Sequence, residues 1–410
     1  MEKKKRIVFY VTFGGGPPIF VYKLAKEFRR KGYETVLFTI CEKNKLDWKF
    51  YREAFDKIIC SDFEFRKPNL KTIPYVLKKG PSLLRFLFLS KFTKPYAVIG
   101  VVGGHWLIKC VHKLFYKKYP FIFHTFDIRS QAYFSMQQAL SLMPKFETEA
   151  EKYIYEVGDG IIYKGAPDEL KYLEGRIFDK INFSELQLNF LPYCSKDFFV
   201  PLNKNKLSKK DKELHMVYVG SLVVEMAKET SEFFNKILNQ KIHLHVYTID
   251  IASHLSKEKE KEYIKNIFSS CINNPYFHLH ETLSPKELIP EISKYDFGLF
   301  PWIKSDSDLS KNNIMARFCM SNKTASYLEA GIPVVFDTEY TYLNKLMKSY
   351  GLDLSYNDKS ILTLNKRLKS LSYPLLEKKV EKTREDYSVE KNFDRLEDFI
   401  KKVVAKKKSK

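Results

Sequence analysis

Cysteine is scarce and unpaired in this sequence. The six (Cys41, Cys60, Cys110, Cys194, Cys271 and Cys319) are scattered, with no C-x-x-C pair among them. Neither a cysteine-based zinc motif nor a disulfide framework is suggested, and the expected compartment is reducing and cytoplasmic. Long apolar runs are also missing. The longest, Tyr96 to Ile108, is too short to span a bilayer and carries Gly103, Gly104 and His105. Met1 to Arg6 is basic, but the apolar run behind it ends at Gly14 without a cleavage-type site, so no signal peptide is expected. Glu225, Asp306 and Asp308 form no metal constellation, and the Asp306/Asp308 spacing alone is not a calcium loop, so no metal is expected. No short-period repeat occurs.

Acidic residues are outnumbered: 49 Asp and Glu face 70 Lys and Arg, for a net charge of +21. Such an excess points to nucleic acid, anionic lipid or phosphorylated sugars as partners, or to a lysine-rich solvated surface. No RNA- or DNA-binding motif is recognised, so charge is the only support for nucleic acid. The chain has 410 residues, 44% of them hydrophobic and 15% aromatic, ample for two domain cores.

The chain alternates strand and helix patterns twice. Arg6 to Thr12 reads as a central parallel strand, Gly14-Gly15-Gly16-Pro17-Pro18 as the turn after it, and Ile19 to Lys31 as a helix with Phe20, Leu24 and Phe28 on one face. Tyr33 to Thr39 completes a βαβ unit. Further strands are expected at 57–60, 97–102, 120–124 and 160–163, with helices at 82–92, 107–117 and 147–157 between them. A second run begins near residue 215: strands at 215–219, 242–247, 277–280 and 297–301, helices at 231–238, 261–268 and 285–293. Two such runs imply two Rossmann-like domains. The expected division is 1–195, 196–375 and a C-terminal helix with basic tail, 376–410. One helix is read over Glu377 to Val404, its stripe of Phe393, Leu396, Phe399, Ile400 and Val403 able to cross back to the N-terminal domain.

The most informative stretch runs from Ser321 to Phe336, Ser-Asn-Lys-Thr-Ala-Ser-Tyr-Leu-Glu-Ala-Gly-Ile-Pro-Val-Val-Phe. A polar opening precedes a short helix that stops at Gly331, and a buried strand follows Pro333. A helix N-terminus bearing Asn and Lys suits phosphate or sugar hydroxyls, because free backbone N–H groups face outward there. The bland alternative is an ordinary helix–turn–strand unit.

This stretch resembles the asn-lys…tyr-leu-x-ala-gly-x-pro-val-val signature of glycosyltransferases with the two-Rossmann GT-B architecture. Four further pieces, in the right order, resemble the same architecture and its retaining family 4-like members: the Gly14-Gly15-Gly16 turn after the first strand, Phe123-His124-Thr125 at a strand end, the hinge Leu191-Pro192…Asp197-Phe198-Phe199…Pro201, and Asp296-Phe297-Gly298-Leu299-Phe300-Pro301. The resemblance implies an α/β fold of two doubly wound domains facing a central cleft, and transfer of a sugar from a nucleotide diphosphate to an acceptor. The donor would sit mainly on the C-terminal domain and the acceptor on the N-terminal one. It also implies retention of configuration and metal-independent catalysis, with no cofactor beyond the nucleotide-sugar donor.

Residue by residue, the resemblance implies the following. Gly15 and Gly16 let backbone approach donor phosphates or acceptor, unless they simply make a tight turn. His124 and Asp127 are the candidate catalytic residues. His124 would hydrogen-bond the sugar or stabilise developing charge, unless it is a core histidine. Arg129 is the candidate acceptor contact; the alternative for Asp127 and Arg129 is a surface salt bridge. Gly220 and Ser221 match the turn where the family often places a phosphate-binding Arg, here replaced by Ser221. Lys228 is the nearest companion lysine. Asn322 and Lys323 would hold the diphosphate or ribose. Ser326 stands where the family often has a ribose-binding glutamate, the matching upstream position is Phe318, and Glu329 is out of register. Arg317 or Lys304 is expected to supply the missing positive charge.

Ser82 to Lys94 mixes large apolar residues with cations, as in a helix lying on an anionic bilayer, but its all-round hydrophobicity favours a fully buried helix of the N-terminal sheet. The reading is therefore a cytoplasmic glycosyltransferase, peripheral to the inner face of the cell membrane, acting on a glycan or lipid-linked acceptor in cell-surface polysaccharide or glycolipid synthesis. The rivals are a nucleotide-sugar epimerase of the same architecture, a basic nucleic-acid-binding protein and a catalytically silent partner subunit.

Overall fold

The structure, a computed structural model, describes residues 4–11, 17–41, 47–62, 73–101, 105–125, 145–174, 181–190, 193–202, 205–220, 227–248, 267–281, 283–303, 315–318 and 320–409. Two compact units divide the chain, one of residues 1–191 with 389–410, the other of residues 192–388.

The first unit is a seven-stranded parallel sheet. Its strands are β1 (Arg6–Val11), β2 (Glu34–Ile40), β3 (Lys57–Ser61), β4 (Ala97–Val101), β5 (Phe121–Thr125), β6 (Gly160–Tyr163) and β7 (Gln187–Asn189), in the order β3-β2-β1-β4-β5-β6-β7. The strands are near-continuous apolar runs because helices cover them. Tyr10 stacks on Phe38 at 5.1 Å between ring centroids and shares a 2.7 Å hydrogen bond with Ser90. Ser90 lies on the Ile73–Phe92 helix, which buries Phe86 and Ser90 in the core. The opposite stripe of that helix is open: Leu84, Phe88 and Phe92 are 68%, 62% and 61% exposed. Burial all round, one of the two expectations for this segment, is thus corrected to burial on one face.

The Val389–Lys408 helix packs on this first unit. Phe393 meets Phe28 edge to face at 4.8 Å, Tyr33 donates to Glu397 at 2.7 Å, and Phe399 and Val403 lie against Gly160 where any Cβ would collide with them. The single helix expected over 377–404 is in fact two. The Tyr373–Asp386 helix ends in the second unit, because Ser388 forms a parallel bridge with Cys194.

The second unit is a six-stranded parallel sheet: β8 (Leu214–Gly220), β9 (Ile242–Thr248), β10 (Phe277–His280), β11 (Phe297–Phe300), β12 (Val334–Asp337) and β13 (Ser355–Tyr356), in the order β10-β9-β8-β11-β12-β13. The strand order reverses between β8 and β11, the switch point at which doubly wound sheets open a crevice beyond their strand ends.

Residues 193–201 of the expected hinge belong to this unit. Ser195 donates its backbone N–H to the buried Glu329 carboxylate at 2.7 Å, and Arg384 reaches the Val200 carbonyl at 2.8 Å. Glu329, out of register for a donor contact, is engaged in holding this segment.

The Asn322–Glu329 helix lies over the switch point. Its end is a Schellman turn: Gly331, at φ 73°, donates to Leu328 and Ile332 to Tyr327. β8 and β11 pair directly only at Met216/Phe297 and Val217/Gly298. Beyond that, the Tyr327 hydroxyl stands between the strands, accepting from Val219 N at 2.9 Å and donating to Leu299 O at 3.0 Å. Its ring occupies the space a Cβ on Gly298 would need, 2.4 Å away. Replacing Tyr327 by Phe leaves a buried donor and a buried acceptor unsatisfied. We expect Y327F to lose about 1–3 kcal/mol of stability, seen as a lower urea midpoint at unchanged slope.

Candidate functional site

Lys323 lies one turn before Tyr327 and so on the same face of the helix. Ser321 caps that helix, its hydroxyl accepting from Lys323 N at 3.2 Å. The Lys323 side chain runs over the end of β8. Its Nζ is 3.3 Å from the Tyr218 hydroxyl, 4.8 Å from the Tyr218 ring centroid and 5.7 Å from that of Phe300 on β11. Gly220 makes this path available. It sits at φ 140°, and a Cβ there would lie 2.3 Å from Lys323 Cε. The structure therefore brings two of the candidate donor-binding residues, Gly220 and Lys323, together at the switch point of the second unit. An ammonium group stands there beside a helix N-terminus, a pairing that suits phosphate.

Asn322 begins the helix, and its Oδ1 is buried without a hydrogen-bond partner among the described residues, as is the Thr324 hydroxyl two residues further on. Ser326 is half-buried and hydrogen-bonds back to Asn322 O at 3.4 Å. Lys228 lies near the start of the Ala227–Leu238 helix. It is exposed, and its ion-pair partner at 4.0 Å is Glu232 on its own helix. Arg317 is likewise exposed. Gly15, Gly16, Asp127, Arg129, Ser221, Glu225, Lys304, Asp306 and Asp308 lie outside the described residues.

His124 is the next-to-last residue of β5, flanked in register by Val101 and Ile162. It is fully buried, with its ring 4.9 Å from that of Phe20. Burial, helped by the charge of Lys164, pushes its pKa down to about 3. The imidazole is neutral at physiological pH.

The first unit also gathers a group that the sequence did not single out. The His105 backbone N–H, at the start of the His105–Val111 helix, donates to Glu147 at 2.9 Å, and the His105 ring nitrogens lie 3.4 Å from Glu147 and 3.7 Å from Glu151. Glu147 and Glu151 are one turn apart on the Lys145–Val157 helix, a spacing visible in the sequence. Their histidine partner was not visible there, because it comes from another segment.

No protein-family model and no curated protein sequence matches this chain. Solved structures do match its fold over nearly the whole length. Sucrose-phosphate synthase from Thermosynechococcus elongatus aligns at TM-score 0.67 with 12% identity, over 98% of this chain and 100% of that one. A glycosyltransferase from Rickettsia africae aligns at 0.63 with 12% identity, over 98% and 99%. Anabaena HepE, solved in complex with UDP, aligns at 0.63 with 8% identity, over 97% and 100%. The chain thus has the α/β, two-domain GT-B fold seen in these glycosyltransferase structures, built from two Rossmann-like units.

The enclosed histidines of the first unit have a measurable consequence. His112, held by the Tyr153 hydroxyl at 2.9 Å, is also pushed down by burial, to about 4. Both folded pKa values lie below the ordinary value near 6.5, so the unfolded chain takes up these protons first as pH falls. Stability is lost from about pH 6.5 downward, on the order of 2 kcal/mol per histidine by pH 5. Urea midpoints between pH 7.5 and 4.5 should fall accordingly, and H124N should flatten the slope.

Proposed function

We propose that this chain transfers a sugar from a nucleotide diphosphate donor to a glycan or lipid-linked acceptor. The observation that carries the reading is the Lys323 ammonium beside the 322–329 helix N-terminus, laid over Gly220 at the β8/β11 switch point. The leaving group of such a transfer is a diphosphate, and its developing charge is what a lysine and free backbone N–H groups stabilise. Asn322 adds an amide oxygen, unpartnered among the described residues, that suits a ribose or sugar hydroxyl. Uridine diphosphate is the first nucleotide to try, since a protein of this fold was solved with it. His124 serves, in this reading, as a neutral hydrogen-bonding group toward the sugar, with Asp127 as its companion, Gly15, Gly16 and Ser221 close to the donor, and Arg129 toward the acceptor. Lys228 is, in this reading, a further cation toward the donor. Retention of configuration and metal-free chemistry follow from the resemblance of the motifs.

We also place the protein on the cytoplasmic face of an anionic membrane, in glycan or glycolipid assembly. Among the described residues no helix is long and apolar enough to cross a membrane. Support comes instead from the open stripe of Leu84, Phe88 and Phe92, flanked by exposed Arg85 and Lys91. Apolar side chains can enter the lipid interface there while cations meet its headgroups.

A thermal-shift panel of nucleotides and nucleotide sugars tests the donor site. We expect a rise in Tm with one class of nucleotide diphosphate, and K323A should weaken that binding about 10-fold or more. No response to any nucleotide would sink the reading. For the membrane, F88S/F92S should lower cosedimentation with phosphatidylglycerol vesicles several-fold, and added salt should lower it further. Equal binding to phosphatidylcholine vesicles would count against this placement.

A further inference from the structure

The sheet of the second unit carries five histidines on neighbouring strands: His215 on β8, His243 and His245 on β9, His278 and His280 on β10. The register sets His215 opposite His243 and His245 opposite His278, and each pair of rings stacks at 4.4 Å. Hydrogen bonds of 2.9 Å run diagonally, joining His215 Nδ1 to His245 Nε2, His243 Nδ1 to His278 Nε2 and His245 Nδ1 to His280 Nε2. The Nε2 atoms of His215 and His243 face away from this ladder, toward the turn that enters β8. His215 Nε2 is 2.8 Å from Asp211 Oδ2, and His243 Nε2 is 3.0 Å from Glu213 Oε2 and 4.0 Å from Asp211 Oδ2. One donor atom each from Asp211, His215 and His243 falls within a 4.8 Å span.

We propose that Asp211, His215 and His243, with Glu213 as fourth ligand, bind a divalent first-row transition metal, Zn²⁺ fitting best. A tetrahedral Zn²⁺ with bonds of about 2.0–2.2 Å holds its ligand atoms roughly 3.3–3.6 Å apart. The separations among Asp211, His215 and His243 straddle that range, and Glu213 is within reach from the His243 side. Two imidazoles disfavour Mg²⁺ and Ca²⁺, which take oxygen ligands. Two carboxylates balance the dication and offset the neighbouring Lys209, Lys210 and Lys212. The ladder does the orienting: with Nδ1–H of His215 and His243 donating to the next ring, both Nε2 lone pairs point at the metal. Asp211, Glu213 and His215 lie within five residues, but the site did not show in the sequence because His243 comes from the neighbouring strand.

The site lies at the entry end of β8, five residues from Gly220, or roughly 16 Å along the strand. It is a clasp for the sheet, not part of the donor pocket, and it stands or falls independently of the transfer reaction. The test uses untagged full-length protein, stripped with EDTA and dialysed against Zn²⁺. We expect one Zn²⁺ per chain, a visible tetrahedral-type spectrum with Co²⁺, and a Tm raised by Zn²⁺ but not by Mg²⁺. D211N removes a partly exposed carboxylate (side chain 42% exposed), keeps the fold and weakens Zn²⁺ binding at least 10-fold. H278Q, acting through His243, weakens it about 10- to 100-fold. Metal that D211N leaves in place, or the same Tm in Zn²⁺ and EDTA, overturns the proposal.

Discussion

A single hydroxyl holds the switch point of the second unit together. Where β8 and β11 part after two direct pairs, the Tyr327 hydroxyl satisfies Val219 N and Leu299 O at once. The strands can therefore diverge without leaving buried polar groups bare. The contact also fixes the rotation of the 322–329 helix, because the Tyr327 ring fits only against a residue without a side chain, Gly298. Lys323, one turn away, then has one direction to point, over a second glycine at the end of β8. The crevice and the cation in it come from the same helix face.

Much of this was legible in the chain. The alternation of strands and helices and the stop at Gly331 rest on local chemistry: glycine at positive φ, proline beyond a helix, β-branched and aromatic runs in buried strands. Gly220 and Lys323 were each singled out by motif resemblance, and only the fold laid one over the other. Features made by distant segments were not legible. Nothing between Tyr373 and Lys408 announces a break, since no glycine or proline stands at Tyr387–Ser388. The break comes from the pairing of Ser388 with Cys194, nearly 200 residues earlier. The open stripe of the 73–92 helix was hidden for another reason. Both its faces are apolar, so periodicity cannot tell which one the sheet covers. Glu329 shows the same limit: its position excluded one role, and only the fold revealed its hold on Ser195.

The two units use buried polar groups differently. In the first, His112 and His124 are held neutral among aromatic rings, and the fold depends on their staying so. In the second, the histidines are linked ring to ring and end on carboxylates, so the same residue type forms a polar network across three strands. The buried polar groups of the first unit thus favour near-neutral pH, and those of the second are arranged to orient one another.

The Val389–Lys408 helix has a consequence for biosynthesis. Leu191 leaves the ribosome about 200 residues ahead of this helix, a delay of roughly 10–40 s at ordinary elongation rates. Throughout that interval the first unit has made its other contacts but shows bare aromatic surface at Phe28 and a bare patch over Gly160, where Phe399 and Val403 later pack. The second unit, contiguous from 192 to 388, has no such wait. Nascent chains should thus mature in reverse order, with the half made first closing last and most in need of a chaperone.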